Sequence, residues 1–381
     1  MSSTNILKGL GFLFLICSVG FIAGCNADGS SGRVEFTEHV LQEEEEFEQS
    51  GHGDEEAEAF NHWDEDVPPE VPVDCAKCHN TAGFLDFLGI TDPNERLVDN
   101  PVAIDPNADN ALDCDICHNE KTDTWDTVIF PSGAVVDGTL GREALCMECH
   151  QGRTSVFDVL TAVGTTPDDT VDPALQFINI HYFAAAATRY GTEVQGGFEY
   201  AGQTYAGYFA HVPQADICYE CHLPHSLRVN VELCSQCHPE VQTEEDVVNI
   251  RLPRPSADFN GNGDTTEGIS FEIAGLRDIL YEAMQIYGAT TPGTNPIIYA
   301  GDTYPYFFID TNGNGLVDAG EATFANRYNT WTPSLLKAAY NMQYTITDPG
   351  CSPHNADYVM QLLYDSIVDL GTVDTSGLVR P

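Results

Sequence analysis

Five copies of one pentapeptide pattern constrain this chain more than anything else in it. CAKCH (75–79), CDICH (114–118), CMECH (146–150), CYECH (218–222) and CSQCH (234–238) each set two cysteines three apart, with a histidine directly after the second. CxxCH is the attachment pattern of a c-type haem. Both thiols become thioethers on the porphyrin edge, and the histidine turns back onto the iron as proximal axial ligand. The spacing must be tight because three attachments meet one macrocycle. The motif therefore assigns Cys75, Cys78, Cys114, Cys117, Cys146, Cys149, Cys218, Cys221, Cys234 and Cys237 to haem attachment. It assigns His79, His118, His150, His222 and His238 to the irons. Isolated CxxC pairs also serve zinc sites and disulfide frameworks. Here the histidine recurs in all five units, which favours five covalent haem c groups.

Haem of this density dictates the fold class. Each porphyrin is a large apolar body that replaces side-chain core, so a loop-rich chain can fold around it. Gly and Pro together reach 54 residues, which adds to the expected loop content. The expectation is a mainly α chain with extensive coil and few strands, organised by haem.

Seven histidines lie outside the motifs, and five irons with two histidines each would need five of them. Such pairing saturates the iron and favours electron transfer over small-molecule chemistry. His225, three residues after a proximal histidine in CYECHLPHSL, cannot face the same iron and is expected to cap a neighbouring one. His211, His62, His181 and His52 complete the expected distal set. His39, beside the run EEEEFE, reads as a solvated helix residue, and His354, in SPHNADYV, as an N-terminal or packing residue.

The N-terminus reads as a targeting segment. Residues 10–24, LGFLFLICSVGFIAG, are apolar but short for a membrane span. The segment ends in IAGCN, which resembles a bacterial lipoprotein lipobox. That resemblance makes residues 1–24 a signal peptide, Cys25 the lipidated residue and the lipid a membrane anchor; ordinary secretion with cleavage at a nearby small residue is the alternative. Asn26 is compatible with outer-membrane sorting on the same ground. With 59 acidic against 15 basic residues and a net charge of -44, nucleic acid is excluded as a partner by phosphate repulsion. The same charge suits a surface facing water, cations or basic proteins.

Four segments follow: the signal peptide at 1–24, an acidic lead-in with distal ligands at 25–70, a pentahaem core at 71–240 and a helical region at 241–381. A helix is expected between about residues 34 and 60. Further helices are expected at 269–288, 333–345 and 356–370, the last with Val359, Leu362, Leu363, Ile367 and Leu370 at helical spacing. DTNGNGLVDAGE (310–321) fits the twelve-residue calcium loop. Its oxygen ligands would be Asp310, Asn312, Asn314, the Leu316 carbonyl, Asp318 and Glu321. A shorter relative at 258–268 offers Asp258, Asn260, Asn262, Asp264 and Glu267 for a second calcium ion. A polar Gly/Asn turn that needs no ion is the alternative for both.

FNHWDED, CMECHQGRTS, HYFAAAATRYG, CYECHLPHSL, LLKAAYNMQY and HNADYVMQLLYDSI together resemble the exported multihaem c-type cytochromes of metal-reducing and related bacteria. The resemblance implies stacked bis-histidine haems and electron transfer across or outside the cell envelope. It also implies redox proteins or an extracellular acceptor as partners, and a helical turn at each motif. Some members of that group assemble into filaments, so a filament subunit is a second reading. A multihaem reductase of nitrogen or sulfur oxyanions is a third. It would need an open iron, and every motif here is a plain CxxCH.

Overall fold

The computed structural model describes residues 31–90, 98–181, 183–251 and 257–381. The expected signal peptide and Cys25 lie outside these residues, as does the side chain of His39 within its helix. The chain divides into two units, residues 1–45 and 46–381. All five motifs belong to the second.

Among the described residues, thirteen α-helices alternate with long coil. They are α1 (Ser31–Glu48), α2 (Glu58–Asn61), α3 (Val73–His79), α4 (Thr81–Phe87), α5 (Glu120–Asp123), α6 (Arg142–Cys149) and α7 (Val156–Val163), followed by α8 (Ala185–Tyr190), α9 (Cys218–Cys221), α10 (Val231–Ser235), α11 (Ile269–Thr290), α12 (Pro333–Ile346) and α13 (Cys351–Leu370). Among the described residues, strands are confined to three antiparallel pairs of two or three residues each. The mainly α, coil-rich architecture expected from haem density is the one observed. The single helix expected from 34 to 60 is instead two, α1 and α2, separated by turns through Gly51 and Gly53. A Cβ at Gly53 would lie 2.3 Å from the Phe47 carbonyl oxygen, so the chain can fold back there only on glycine.

Every CxxCH lies on a helical turn: α3, a 3-10 turn at Cys114–Ile116, the end of α6, α9 and α10. In four of them the histidine N–H donates to the carbonyl of the first cysteine, at 2.8–2.9 Å. That single hydrogen bond closes a turn on which positions i, i+3 and i+4 share one face. Both sulfurs and the imidazole are thereby presented together. The first motif is braced by its neighbour. The Asn80 side chain caps α4 by accepting from the N–H groups of Ala82 and Gly83. Gly83 lets α4 close on α3, since a Cβ there would meet the Ala76 carbonyl oxygen at 2.4 Å.

The main side-chain core reaches from Phe60 to Leu370 and is densest in the C-terminal half. Helices α11, α12 and α13 pack on one another, and α8 packs on α13. Helix α12 starts on a Thr332 cap with Pro333 in its first turn, and is buried over nearly its whole length. Helix α13 begins five residues earlier than the 356–370 stretch and breaks stride at Asn355, where φ is -171° and ψ is 78°. Its first turn, Cys351–His354, is thus set apart from the long apolar stretch that follows, and it ends at Gly371 in the left-handed conformation.

Candidate haem sites

Each of the five motif histidines faces a second histidine from elsewhere in the chain. The pairs, with ring-centroid distances, are His79 with His181 at 5.7 Å, His118 with His225 at 6.1 Å, His150 with His52 at 6.1 Å, His238 with His211 at 6.2 Å and His222 with His354 at 6.4 Å. A metal–imidazole bond is about 2 Å, so two such bonds plus the near half of each ring put ligating centroids about 6 Å apart. The pairs are thus spaced for one iron each. In the tightest, the Nε2 atoms of His79 and His181 are 3.4 Å apart, so that pair must open by about half an ångström to span two bonds.

The second histidines arrive on very different supports. His181 precedes α8 and donates its backbone N–H to the Gly152 carbonyl. His52 sits in the turn after α1, its carbonyl accepting from Leu112. His211 is held by its backbone N–H on the Asp216 carboxylate, 2.9 Å away. His225 rides a tight loop: His222 and Val229 pair across it, and Leu227 takes a φ of 58° near its tip. His354 ends the short first turn of α13.

Several of these rings are oriented through Nδ1. His79 engages the Ala59 carbonyl at 2.9 Å and His222 the Leu227 carbonyl at 3.3 Å. His354 engages both oxygens of Asp348, at 2.8 and 2.9 Å. Fixing Nδ1 on an acceptor leaves Nε2 as the lone-pair nitrogen. Burial lowers the pKa of His150 and of His181 to about 4, so both imidazoles are neutral at physiological pH. Neutral imidazole is the form that binds a metal.

The cysteines fit the same group. All eleven among the described residues are free thiols. The Cys78 thiol interacts with that of Cys149, and Cys146 with Cys218. The interaction with Cys78, then burial, pushes the Cys149 thiol well up, and Cys218 is pushed up in the same way by Cys146. Burial pushes Cys117 up to about 12, and the Cys146 sulfur adds to the effect. Cys117, Cys149 and Cys218 are thus held as uncharged thiols, while their partners Cys78 and Cys146 are shifted down by Cys149 and Cys218. Two ion pairs flank them: Lys77 with the buried Glu148 at 2.6 Å, and Arg189 with the buried Glu143. Neither pair was anticipated from sequence, where nothing in the spacing of these residues links them.

His62 is placed differently from the other expected distal histidines. Its Nδ1 lies 2.9 Å from Glu58 Oε1, and its side chain is 61 % exposed. It stands edge-on to Trp63, which in turn touches His79. The position facing His222 is filled by His354. Its only sequence signal was the count of histidines, because Asp348 and Gly350, which shape its surroundings, follow no motif.

Among the described residues, no three or more His, Cys, Asp and Glu side chains converge to hold a bare metal ion. A haem needs only two protein ligands on its iron, so the histidine pairs do not register as such a cluster. The two acidic loops share one construction. Asp310 accepts from the N–H of Gly313 and Gly315, and Asp258 from Gly261 and Gly263, all at 2.7 Å. All four glycines have positive φ. Asn312 and Asn314 both turn their amides to Asp318, and Glu321 accepts from Thr311. Asn260 and Asn262 both turn theirs to Glu267, and Asp264 accepts from Thr266. Among the described residues, no helix is long and apolar enough to cross a membrane.

No family model matches the chain, and no solved structure matches it significantly. Curated proteins do. The C-type polyheme cytochrome OmcB of Geobacter sulfurreducens, in two strains, is 25% identical, the match covering 77% of this chain and 37% of the relative. The C-type polyheme cytochrome OmcC of the same species is 26% identical, covering 77% of this chain and 42% of the relative. The chain therefore spans less than half the length of the curated relatives it matches.

Proposed function

Proceeding from a chain that is distantly related to polyhaem c-type cytochromes, we propose that it carries electrons outside the inner membrane through five bis-histidine haems. The observation that carries this reading is the pairing of every CxxCH histidine with a second imidazole at iron-spanning distance. The revised distal set is His52, His181, His211, His225 and His354. Haem supplies the one-electron chemistry when bound. The chain's own residues hold the rings, and burial keeps those of His150 and His181 neutral. With each iron closed on both sides, a carrier fits better than a reductase, which needs an open position.

The sulfur contacts also support an order for the haems, numbered here by motif. Haem III lies at the centre: Cys149 meets Cys78 of haem I, Cys146 meets Cys218 of haem IV, and Cys117 of haem II lies within electrostatic reach of Cys146. Cys221 and Cys234 link haem IV to haem V in the same way. The proposed route runs I–III–IV–V, with II branching from III. Export rests on the leader-like N-terminus, Cys25 would hold the lipid, and the acceptor would be a redox protein or an extracellular oxidant.

Intact mass and absorbance test the reading together. Five haems, all low-spin in the ferric state, are expected. A high-spin signal worth one haem in five in the unmodified protein contradicts complete bis-histidine ligation.

The loops at 310–321 and 258–268 are proposed to bind calcium. Each gathers hard oxygens around an aspartate already locked by two glycine N–H groups. Chelation is expected to increase proteolysis between residues 257 and 325 severalfold, with restoration by added calcium. Unchanged cleavage there rejects the proposal for both loops.

A further inference from the structure

Asp348 is a buried carboxylate with no place in the sequence pattern, and it lies directly behind a proposed iron ligand. Its side chain is 1% exposed, and both oxygens take the Nδ1–H of His354. The approach is built in by the backbone. Gly350 lies under the ring, where a Cβ would come within 2.7 Å of His354 Cε1. The break at Asn355, whose amide donates to the Gly207 carbonyl at 2.9 Å, fixes the short turn that carries the ring. The supports of the other rings differ in kind. His79 and His222 rest on backbone carbonyls, and His238 lies 3.6 Å from Glu240, whose side chain is 44% exposed.

Resting on the ligation proposed above, we infer that Asp348 is a positioning residue that sets the redox potential of haem IV. A carboxylate on Nδ1–H gives the imidazole imidazolate character and makes it a stronger donor to the metal. The full negative charge, held where water cannot screen it, also favours the extra positive charge of ferric over ferrous iron. Both effects act in one direction and lower the midpoint of haem IV. The carboxylate is also in electrostatic reach of His150, the proximal ligand of haem III, so a weaker effect is expected there. Haem IV lies between III and V on the proposed route, so its potential regulates passage toward the last motif.

The test is spectroelectrochemistry of the full-length haem-loaded protein with Asp348→Asn, which keeps the shape and removes the charge. One of the five midpoints should move clearly positive, a second by less, and three should stay in place. The low-spin EPR signal of one haem should shift with it, because weaker donation from the ring changes the iron orbital splitting. Five unchanged midpoints in a variant that retains five haems overturn the inference. Should asparagine cost the protein a haem, Asp348→Glu becomes the variant to read. With the charge retained, native-like midpoints support the inference, and a positive shift overturns it. His354→Ala separates this inference from the ligation beneath it. If it leaves every haem low-spin, His354 is no ligand and both fail. If one haem turns high-spin while Asp348→Asn moves no midpoint, the inference alone fails.

Discussion

Alanine at both Cys146 and Cys149 is expected to give a four-haem protein that no longer fills with electrons as one set. The two sulfurs of this motif meet those of haems I and IV, and the Cys117 sulfur of haem II lies in their reach. Tunnelling between redox groups falls steeply with edge separation, so removing the central group isolates I and II from IV and V. Stopped-flow reduction of the unmodified protein should show the haems equilibrating in a single phase. The variant should show at least two well-separated phases, with the pair IV and V filling together in one of them. Alanine at Cys234 and Cys237 is the control. It also removes one haem in five, but from the end of the proposed route, and the other four should still fill together. Haem count by mass, with helical content retained, confirms that each variant is folded. If the central variant fills in one phase like the terminal one, the order I–III–IV–V is wrong.

What the sequence made legible, and what it did not, follows the range of the forces involved. The CxxCH turn is local and closed by one i to i+4 hydrogen bond, so its ten cysteines and five histidines could be named from spacing as candidates for haem attachment. The C-terminal helices were equally plain, because Leu362, Leu363 and Ile367 repeat at helical spacing and are fully buried in α13. Distal ligands carry no such signature. His181 approaches His79 across 102 positions, and the match depends on how the coil between them closes. That His225 should face the histidine of another motif was readable because its own motif lies too close for it to serve. His354 was not, since its helical context reads equally well as packing. The lead-in helix was over-extended for a related reason. Charge and polarity run on through residues 48–58, and the break depends on close backbone approach at Gly53.

Between His62 and His354, the spin state of one iron decides. His354→Ala is expected to leave five haems by mass, because thioethers hold the porphyrin without the distal ring. It should turn about one fifth of the ferric iron high-spin. The opposite iron face would open where the ring now stands 6.4 Å from that of His222. The buried Asp348, left without its histidine partner, adds a stability cost of roughly 1–3 kcal/mol, or more for a charged group, visible as a lower thermal midpoint. His62→Ala should change neither observable measurably. That ring is 61 % exposed and tied to Glu58, whose side chain is 87% exposed, and exposed pairs of this kind contribute between nothing and about 1 kcal/mol. Removing it leaves Trp63 in place against His79. Low-temperature EPR on the two variants, prepared alike, reads the difference directly. A high-spin signal from His62→Ala, with none from His354→Ala, would reverse the assignment. The acidic lead-in would then supply two distal ligands, and His354 would be a packing residue held by its carboxylate.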